Sequence, residues 1–505
     1  MAARPNILVI LTDQQRYDSI SALGNSIIRT PHYDRVVREG TTFTEAYTPS
    51  PECVPARCSF TMGQYPARTG CYANGYDWPF EQKETLMAAL ARTGYYTHGV
   101  GKMHFEPAAT AHELHGFHAR ERQEEIVKRP EHDDYLQYLW AHGYTHITDP
   151  HGVRGEMYYI PQPAQMPAAL HPTQWVGDRA EAFLRARKRG DGPWFLFVSF
   201  VHPHPPFCPP APWHKLYRDL DVPLPFIPPD AQRLWLFVNH AQNRTKRRDR
   251  GMDLNLLRVQ RAYYYACVSF IDYQIGRMLA ALEETGALDD TMIVCTTDHG
   301  ELLGDYGCYG KRSYHDPVTR IPLVIRYPRL FEPGARCRTP ASLLDVTATI
   351  LELAGASFAT HSCDGVSLCA LAGGAYADRT VFAQLNQAGD GIYMAVNREW
   401  KYVYSAPDQR ELLFDRVRDP YDTIDCAGQW QRSLPWKKAQ EELRASLLAF
   451  LREAGETDAL DGDHWRVYPK KTMPDNPDAG LLYQDHPWAE QFIPGYSRHE
   501  RPFAS

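Results

Sequence analysis

The chain has 505 residues, enough to bury a large core and to carry one big α/β domain plus a smaller one. With 44% hydrophobic and 23% charged residues it is neither a disordered chain nor a fibre. A formal charge of -7 excludes the broad basic face that nucleic acid or an anionic membrane would need, so any positive field must be local to a pocket.

The first element is Ile7-Leu8-Val9-Ile10-Leu11, closed by Thr12-Asp13-Gln14-Gln15-Arg16. A continuous apolar run ending in polar residues predicts a strand buried on both faces. Ligands of open α/β sheets sit where such strands end, here at Asp13 and Gln14, although a carboxylate in that place can also be a plain N-cap. The run is too short for an export signal, and no stretch of about 18 apolar residues predicts a membrane span. Eleven cysteines, an odd number without a repeating spacing, fit a reduced chain, so a cytoplasmic location is expected.

Thr30 to Gly40 reads as a short helix. Ser50 to Thr61 follows with Cys53-Val54-Pro55-Ala56-Arg57, a Cys-x-Pro-x-Arg pattern. Phe60 and Met62 beyond it predict a helix whose N-terminal end faces the site, a favourable place for an anion. A lone cysteine is most often a half-buried thiol, so its neighbours decide its meaning. Leu86 to Gly94 predicts a helix and Tyr95 to Val100 a strand that delivers Gly101-Lys102-Met103-His104. Two residues apart on extended chain, Lys102 and His104 point to one side.

Residues 108 to 172 are rich in His, Tyr, Pro and charge without periodicity and read as an insertion that shapes specificity. A charged helix from Trp175 to Arg187 precedes the buried strand Trp194 to Val201, which ends in His202-Pro203-His204-Pro205-Pro206. Prolines forbid ladder or helix there and make a rigid loop that could hold an imidazole or merely pack one. Arg244 to Arg250, a basic run in an acidic chain, reads as a solvated loop. Apolar residues from Tyr264 to Leu282 recur at helical spacing and predict a core helix without chemistry. Thr291 to Thr296 is another buried strand, ending in Thr297-Asp298-His299-Gly300-Glu301, and Lys311 precedes the strand Ile321 to Arg326. A helix spans Ser342 to Leu353. After residue 376 short alternating strands and a helix near Lys437 to Glu453 predict a small antiparallel lobe. The aromatic stretch from Thr457 to Ser505 predicts an ordered arm over this subunit or a neighbour. The expected divisions are 1–375, 376–456 and 457–505.

Buried strands thus bring Asp13, Asp298 with His299, and Lys102 with His104 to one sheet edge. Oxygen donors from Asp13, Gln14 and Asp298 with one imidazole suit a divalent ion, calcium first and manganese or magnesium as alternatives, and not a nitrogen- and sulfur-rich zinc site. Lys102, Lys311 and Arg57 add positive charge.

The ordered motifs resemble the type I sulfatases of the alkaline phosphatase superfamily: Asn-Ile-Leu-x-Ile-x-x-Asp at 6 to 13, Cys-x-Pro-x-Arg at 53 to 57, Gly-Lys-x-His at 101 to 104, Pro-His-x-Pro at 203 to 206, Asp-His-Gly-Glu at 298 to 301, then Lys311. The resemblance implies a large, mixed but mostly parallel sheet sandwiched by helices, with a smaller antiparallel sheet and helix behind it. It implies that a maturation enzyme oxidises Cys53 to formylglycine, whose hydrate is the nucleophile. Asp13, Asp298, His299 and that side chain would bind the metal. Gln14 stands where many members have a second Asp, and His299 where many have Asn, as in the subgroup of phosphonate monoester hydrolases and choline sulfatases.

By the same resemblance Arg57 would hold the diol, one hydroxyl would attack sulfur, and His104 would remove the proton of the other as sulfate is eliminated. His204 and Lys311 would bind the anion and protonate the leaving alkoxide, and Lys102 would neutralise charge. Asn74, His202 and Arg312, near these motifs, are candidate substrate contacts or else ordinary polar residues. The reading is a sulfatase acting on a small or carbohydrate sulfate. The Lys102 and His104 pair favours it over a phosphonate monoester or phosphodiester hydrolase, whose members tend to lack that pair. A non-catalytic metal protein with an unmodified Cys53 is the third reading. A homo-oligomer through the arm is expected, with no nucleic acid or membrane partner.

Overall fold

In the computed structural model of the chain, residues 4–473 are described apart from 128, 148, 155–156, 189, 218–221, 248–252 and 430–432. An eight-stranded sheet runs in the order Ala119–Arg122, Tyr96–Gly101, Trp194–Phe200, Asn6–Thr12, Thr291–Thr297, Leu323–Arg326, Thr41–Phe43, Arg336–Cys337. The first five are parallel, and Leu323–Arg326 turns antiparallel against Thr291–Thr297.

The side-chain period of two splits each central strand between two cores. Ile7, Val9, Leu11, Met292 and Val294 enter one; Leu8, Ile10, Ile293 and Cys295 enter the other. Both faces are covered, which is why these runs are apolar without alternation. The helices Cys53–Met62 and Leu343–Ala354 close the first face, where Val54, Met62, Val346 and Ile350 are buried. On the second lies the 31-residue helix Leu254–Glu284, with Ile271, Ile275, Met278 and Leu282 inward. It begins ten residues before the apolar stripe does, because Asp253 caps it by accepting from the backbone of Asn255 and Leu256.

The basic run departs from the solvated loop expected of it. Residues up to Arg247 belong to the helix Phe237–Arg247, and Lys246 turns inward to donate to the Tyr159 hydroxyl at 3.2 Å. Local charge pattern carries no information about such a tertiary partner.

Beyond residue 380 the strands Val381–Leu385, Ile392–Val396, Trp400–Ser405 and Arg410–Asp415 form a four-stranded antiparallel sheet in sequence order. The helix Leu434–Ala454 lays Leu443, Leu447 and Leu451 on it. The start of the arm packs there too, Trp465 stacking on Tyr404 at 4.1 Å between centroids. Its remainder, 474–505, and the subunit contact expected of it lie outside the described residues. The small sheet also braces the large one: Gln384 N donates to Pro49 O at 3.0 Å and Tyr314 Oη to Ile392 O at 2.8 Å. All eleven cysteines are free thiols, and among the described residues no helix is long and apolar enough to cross a membrane.

Candidate active site

The registers of the parallel strands set the site. Thr12 lies level with Thr297 on one side and Phe200 on the other, and Gly101 with Ser199, so four strands end at one edge. Asp13, Asp298, Lys102 and His202 are the first or second residues past those ends. Gly101 has φ +92, and a Cβ there would sit 1.9 Å from the Ser199 carbonyl oxygen. Glycine is therefore the residue that lets the chain turn and aim Lys102 inward.

Cys53 is the first residue of a helix whose ten residues are all buried. Asn74 Oδ1 accepts from Val54 N at 3.0 Å, satisfying one of the amides a helix start leaves open. The thiol faces the sheet edge. Its Sγ lies 3.5 Å from Asp13 Oδ1, 3.2 Å from His299 Nε2 and 2.5 Å from Lys311 Nζ. Burial, with Asp13 beside it, pushes the thiol up to about 12, so as a plain cysteine it stays protonated at neutral pH and is a poor nucleophile. Where the matured side chain would place its oxygens, the structure holds this sulfur.

Asp13, Cys53, Asp298 and His299 direct one ligand atom each into a space under 4.8 Å across. His299 Nδ1 donates to the Gly300 carbonyl at 3.0 Å, which leaves the Nε2 lone pair for the centre, the tautomer a metal requires. Gln14 donates its Nε2 to Glu301, and its Oε1 is buried without a partner. Two carboxylates, an imidazole and an unpartnered amide oxygen are the donor set of a hard or borderline divalent ion, so these residues fit one.

Arg57 is placed differently from the role of holding the diol. Its Nε donates to Asp298 Oδ2 at 2.8 Å, Nη2 to Asp13 Oδ2 at 3.1 Å, and Nη1 to Lys102 O and Ser199 Oγ. It fixes both carboxylates from behind. Lys102 Nζ, wholly buried, is 2.6 Å from Asp13 Oδ2 and 2.6 Å from Glu125 Oε2. Burial opposes its charge, but Asp13 and Glu125 outweigh that and hold it above the usual lysine range. His204 Nδ1 donates to Pro205 O at 2.6 Å, so Nε2 faces Lys311 Nζ at 3.3 Å. Burial keeps His204 and His104 well below the usual imidazole range, and His104 Nδ1 has no partner, the state of a base.

The three weaker candidates separate. Asn74 and Arg312 meet through Glu52, which accepts from Asn74 N and from Arg312 Nε at 2.6 Å, so they support the start of the Cys53 helix. His202 turns away: its Nδ1 meets Thr173 Oγ1 and its Nε2 the Cys208 thiol. His171 completes that group, and its own nitrogens are taken by Thr173 N and Cys208 O, which leaves it no lone pair for a metal.

Glu125, Arg154, Tyr158 and Tyr159 reach the site from the insertion, where no periodicity or motif marks them. Glu301 stands inside Asp-His-Gly-Glu, and that motif is the signal that points to it.

A large, mostly parallel sheet whose strand ends gather two carboxylates, an imidazole and a helix-borne cysteine at one edge defines an α/β protein with a metal-competent site. The sulfatase family model matches residues 5–356, and one for the C-terminal region of N-sulphoglucosamine sulphohydrolase matches 304–447. The chain is 30% identical to an arylsulfatase of Clostridium perfringens over 93% of its own length and 99% of the relative's. It is 32% identical to a choline-sulfatase of Rhizobium meliloti over 84% of this chain and 82% of that one. The fold is shared with a phosphonate monoester hydrolase of Agrobacterium radiobacter at a TM-score of 0.74 and 24% identity, covering 88% and 96% of the two chains. The chain belongs to the sulfatase family, and it is an enzyme of the sulfuric ester hydrolase type.

Proposed function

We propose that this sulfatase cleaves a small or carbohydrate sulfate monoester, with Cys53 oxidised to formylglycine by a maturation enzyme and one divalent ion held by Asp13, Gln14, Asp298 and His299. The observation that carries the reading is the meeting of Cys53 with Asp13, His299 and Lys311 at the head of a buried helix. Calcium heads the metal candidates because oxygen donors dominate; the imidazole and the neutral amide keep manganese and magnesium in the set. When bound, the ion would polarise the nucleophilic oxygen and offset the ester's charge.

The chain's own residues do the rest. Arg57 holds the two carboxylates rigid, so the centre does not reorganise as charge moves. Lys311 sits against position 53 and neutralises the ester's oxygens, and through its contact with His204 it supplies a proton for the departing alkoxide. His104, half-buried and neutral, takes the proton when position 53 returns to the aldehyde.

Protein converted at position 53, verified by a peptide mass about 18 Da below the thiol form, should hydrolyse 4-nitrophenyl sulfate faster than a phenyl phosphonate monoester. A sulfate rate orders of magnitude below the phosphonate rate would transfer the chain to the phosphonate hydrolases. Absence of the mass shift from protein made with a maturation enzyme would favour the non-catalytic reading.

A further inference from the structure

Glu125 is out of place in an anion site. Its side chain is 8% exposed, and one of its carboxylate oxygens lies within 4.8 Å of Cys53 Sγ and of the nearer ring nitrogen of His204. Oε2 is 2.6 Å from Lys102 Nζ; Oε1 is 2.7 Å from Arg154 Nη2 and 3.4 Å from His204 Nε2. A group transferred to or from position 53 must therefore pass within a few Å of a carboxylate. Burial opposes ionisation, but the charges of Lys102 and Arg154 keep Glu125 well below the usual carboxylate range.

The carboxylate is also anchored. Its neighbour Glu124 accepts from Met103 N at 3.1 Å and His104 N at 3.0 Å, while Glu124 N donates to Asp133 Oδ2 at 2.8 Å. The segment is tied both to the loop that carries Lys102 and to the insertion behind it. Swinging Glu125 out would strip Lys102 and Arg154 of a buried partner.

We propose that Glu125 is a specificity-determining residue that makes the site prefer esters whose transferred group carries one negative charge over those carrying two. A sulfate monoester is a monoanion. A phosphate monoester, with a second pKa of about 6, is a dianion at pH 8. Both place oxygens beside Lys311 and Lys102, but the extra charge of the dianion falls next to Glu125. A repulsive element of this kind separates substrates of the same size and shape, which attraction to lysines alone does not. The inference rests on the sulfatase reading and narrows it to monoanionic esters.

The test uses full-length, metal-loaded protein with position 53 converted, and compares kcat/KM at pH 8 for 4-nitrophenyl sulfate, 4-nitrophenyl phosphate and the monoanionic diester bis(4-nitrophenyl) phosphate. In Glu125→Gln the ratio of phosphate monoester to sulfate should rise about tenfold, as expected for one unit charge a few Å away in a partly polarised medium. The ratio of diester to sulfate should stay where it is, because it changes the element and not the charge. Loss of a structural prop would move all three rates together, and that result, or an unchanged monoester ratio, would overturn the proposal. Should Glu125→Gln fail to fold, Glu125→Ser removes the same charge, and Glu125→Asp, which retains it, should keep the wild-type ratio. Converted wild-type protein that does not cleave the sulfate at all would defeat the sulfatase reading itself.

Discussion

Gln14 donates its amide nitrogen to the Glu301 carboxylate, and its amide oxygen is left buried and unpartnered beside Asp13 in the chain. Glu301 also accepts from Leu303 N, Gly310 N and Tyr159 Oη, at 2.9, 2.6 and 3.0 Å. With these donors aimed at it, Glu301 takes the nitrogen of the Gln14 amide and so fixes the amide's orientation, which leaves the oxygen buried and unpartnered. An aspartate at position 14 would instead set a second negative charge near Glu301. Replacing Glu301 by Gln lets the amide flip, and metal affinity should fall about 10- to 100-fold, measured as metal retained after dialysis against a graded chelator. Wild-type retention would show that Gln14 needs no orienting partner.

Among the described residues Arg57 alone bonds both Asp13 and Asp298 through its guanidinium, and it is 3% exposed. Arg57→Ala would leave Asp298 buried without its guanidinium and Asp13 with Lys102 alone, and the expected loss is about 3–5 kcal/mol of stability. Thermal unfolding of the metal-free protein reads that loss directly. Added divalent ion should recover part of it, because a cation again separates the carboxylates. Unchanged thermal stability would mean that solvent reaches these groups.

Gly101→Ala meets the Ser199 carbonyl at a distance no Cβ tolerates, in a backbone conformation that side chains rarely adopt. The turn must shift, and Lys102 with it. Activity should drop by at least about a hundredfold even in variants that fold, since a displacement of about 1 Å at reacting groups is costly on that scale. Near-normal turnover would show that Lys102 is not positioned by this turn.

Asp272 governs a pH effect remote from the chemistry. Its Oδ1 accepts from His32 N at 3.0 Å and Tyr33 N at 2.6 Å, and burial raises it to about 7 from the ordinary 3.8. The folded chain therefore holds a proton that the unfolded chain releases, and stability declines as pH rises from about 4 through about 7. Asp272→Asn keeps Oδ1 and both its bonds but has no proton to lose. Melting temperatures across that window should show the variant gaining on wild type as pH rises, with no further gain above the upper limit. A constant difference would place the titration elsewhere.

Much of the architecture was readable along the chain because central strands covered on both faces must be apolar throughout, and such runs stand out at 7–11, 194–200 and 291–296. Polar residues directly after them mark the edge where ligands bind. Asp13, Asp298 and His299 were found in this way, Lys102 followed from the strand Tyr95 to Val100 before it, and the Cys53 motif joined them through the order of motifs. The small C-terminal sheet was legible from its short, closely spaced strands, although Ile392–Val396 is buried on both faces and does not alternate.

What local pattern could not supply is partnership between residues far apart in sequence. Glu125 and Arg154 lie in an aperiodic insertion, and only folding brings them against Lys102 and His204. Lys246 looked like part of a solvated basic run until helix Phe237–Arg247 turned it towards Tyr159. Arg57 sits in a recognisable motif, yet whether its five donors face position 53 or the carboxylates behind it depends on the register between Asn6–Thr12 and Thr291–Thr297. Apolar periodicity reports how a segment is buried. Which charges then share a buried space is a matter of three-dimensional distance, and their Coulomb energy follows from that distance and the local dielectric, neither of which a local pattern records.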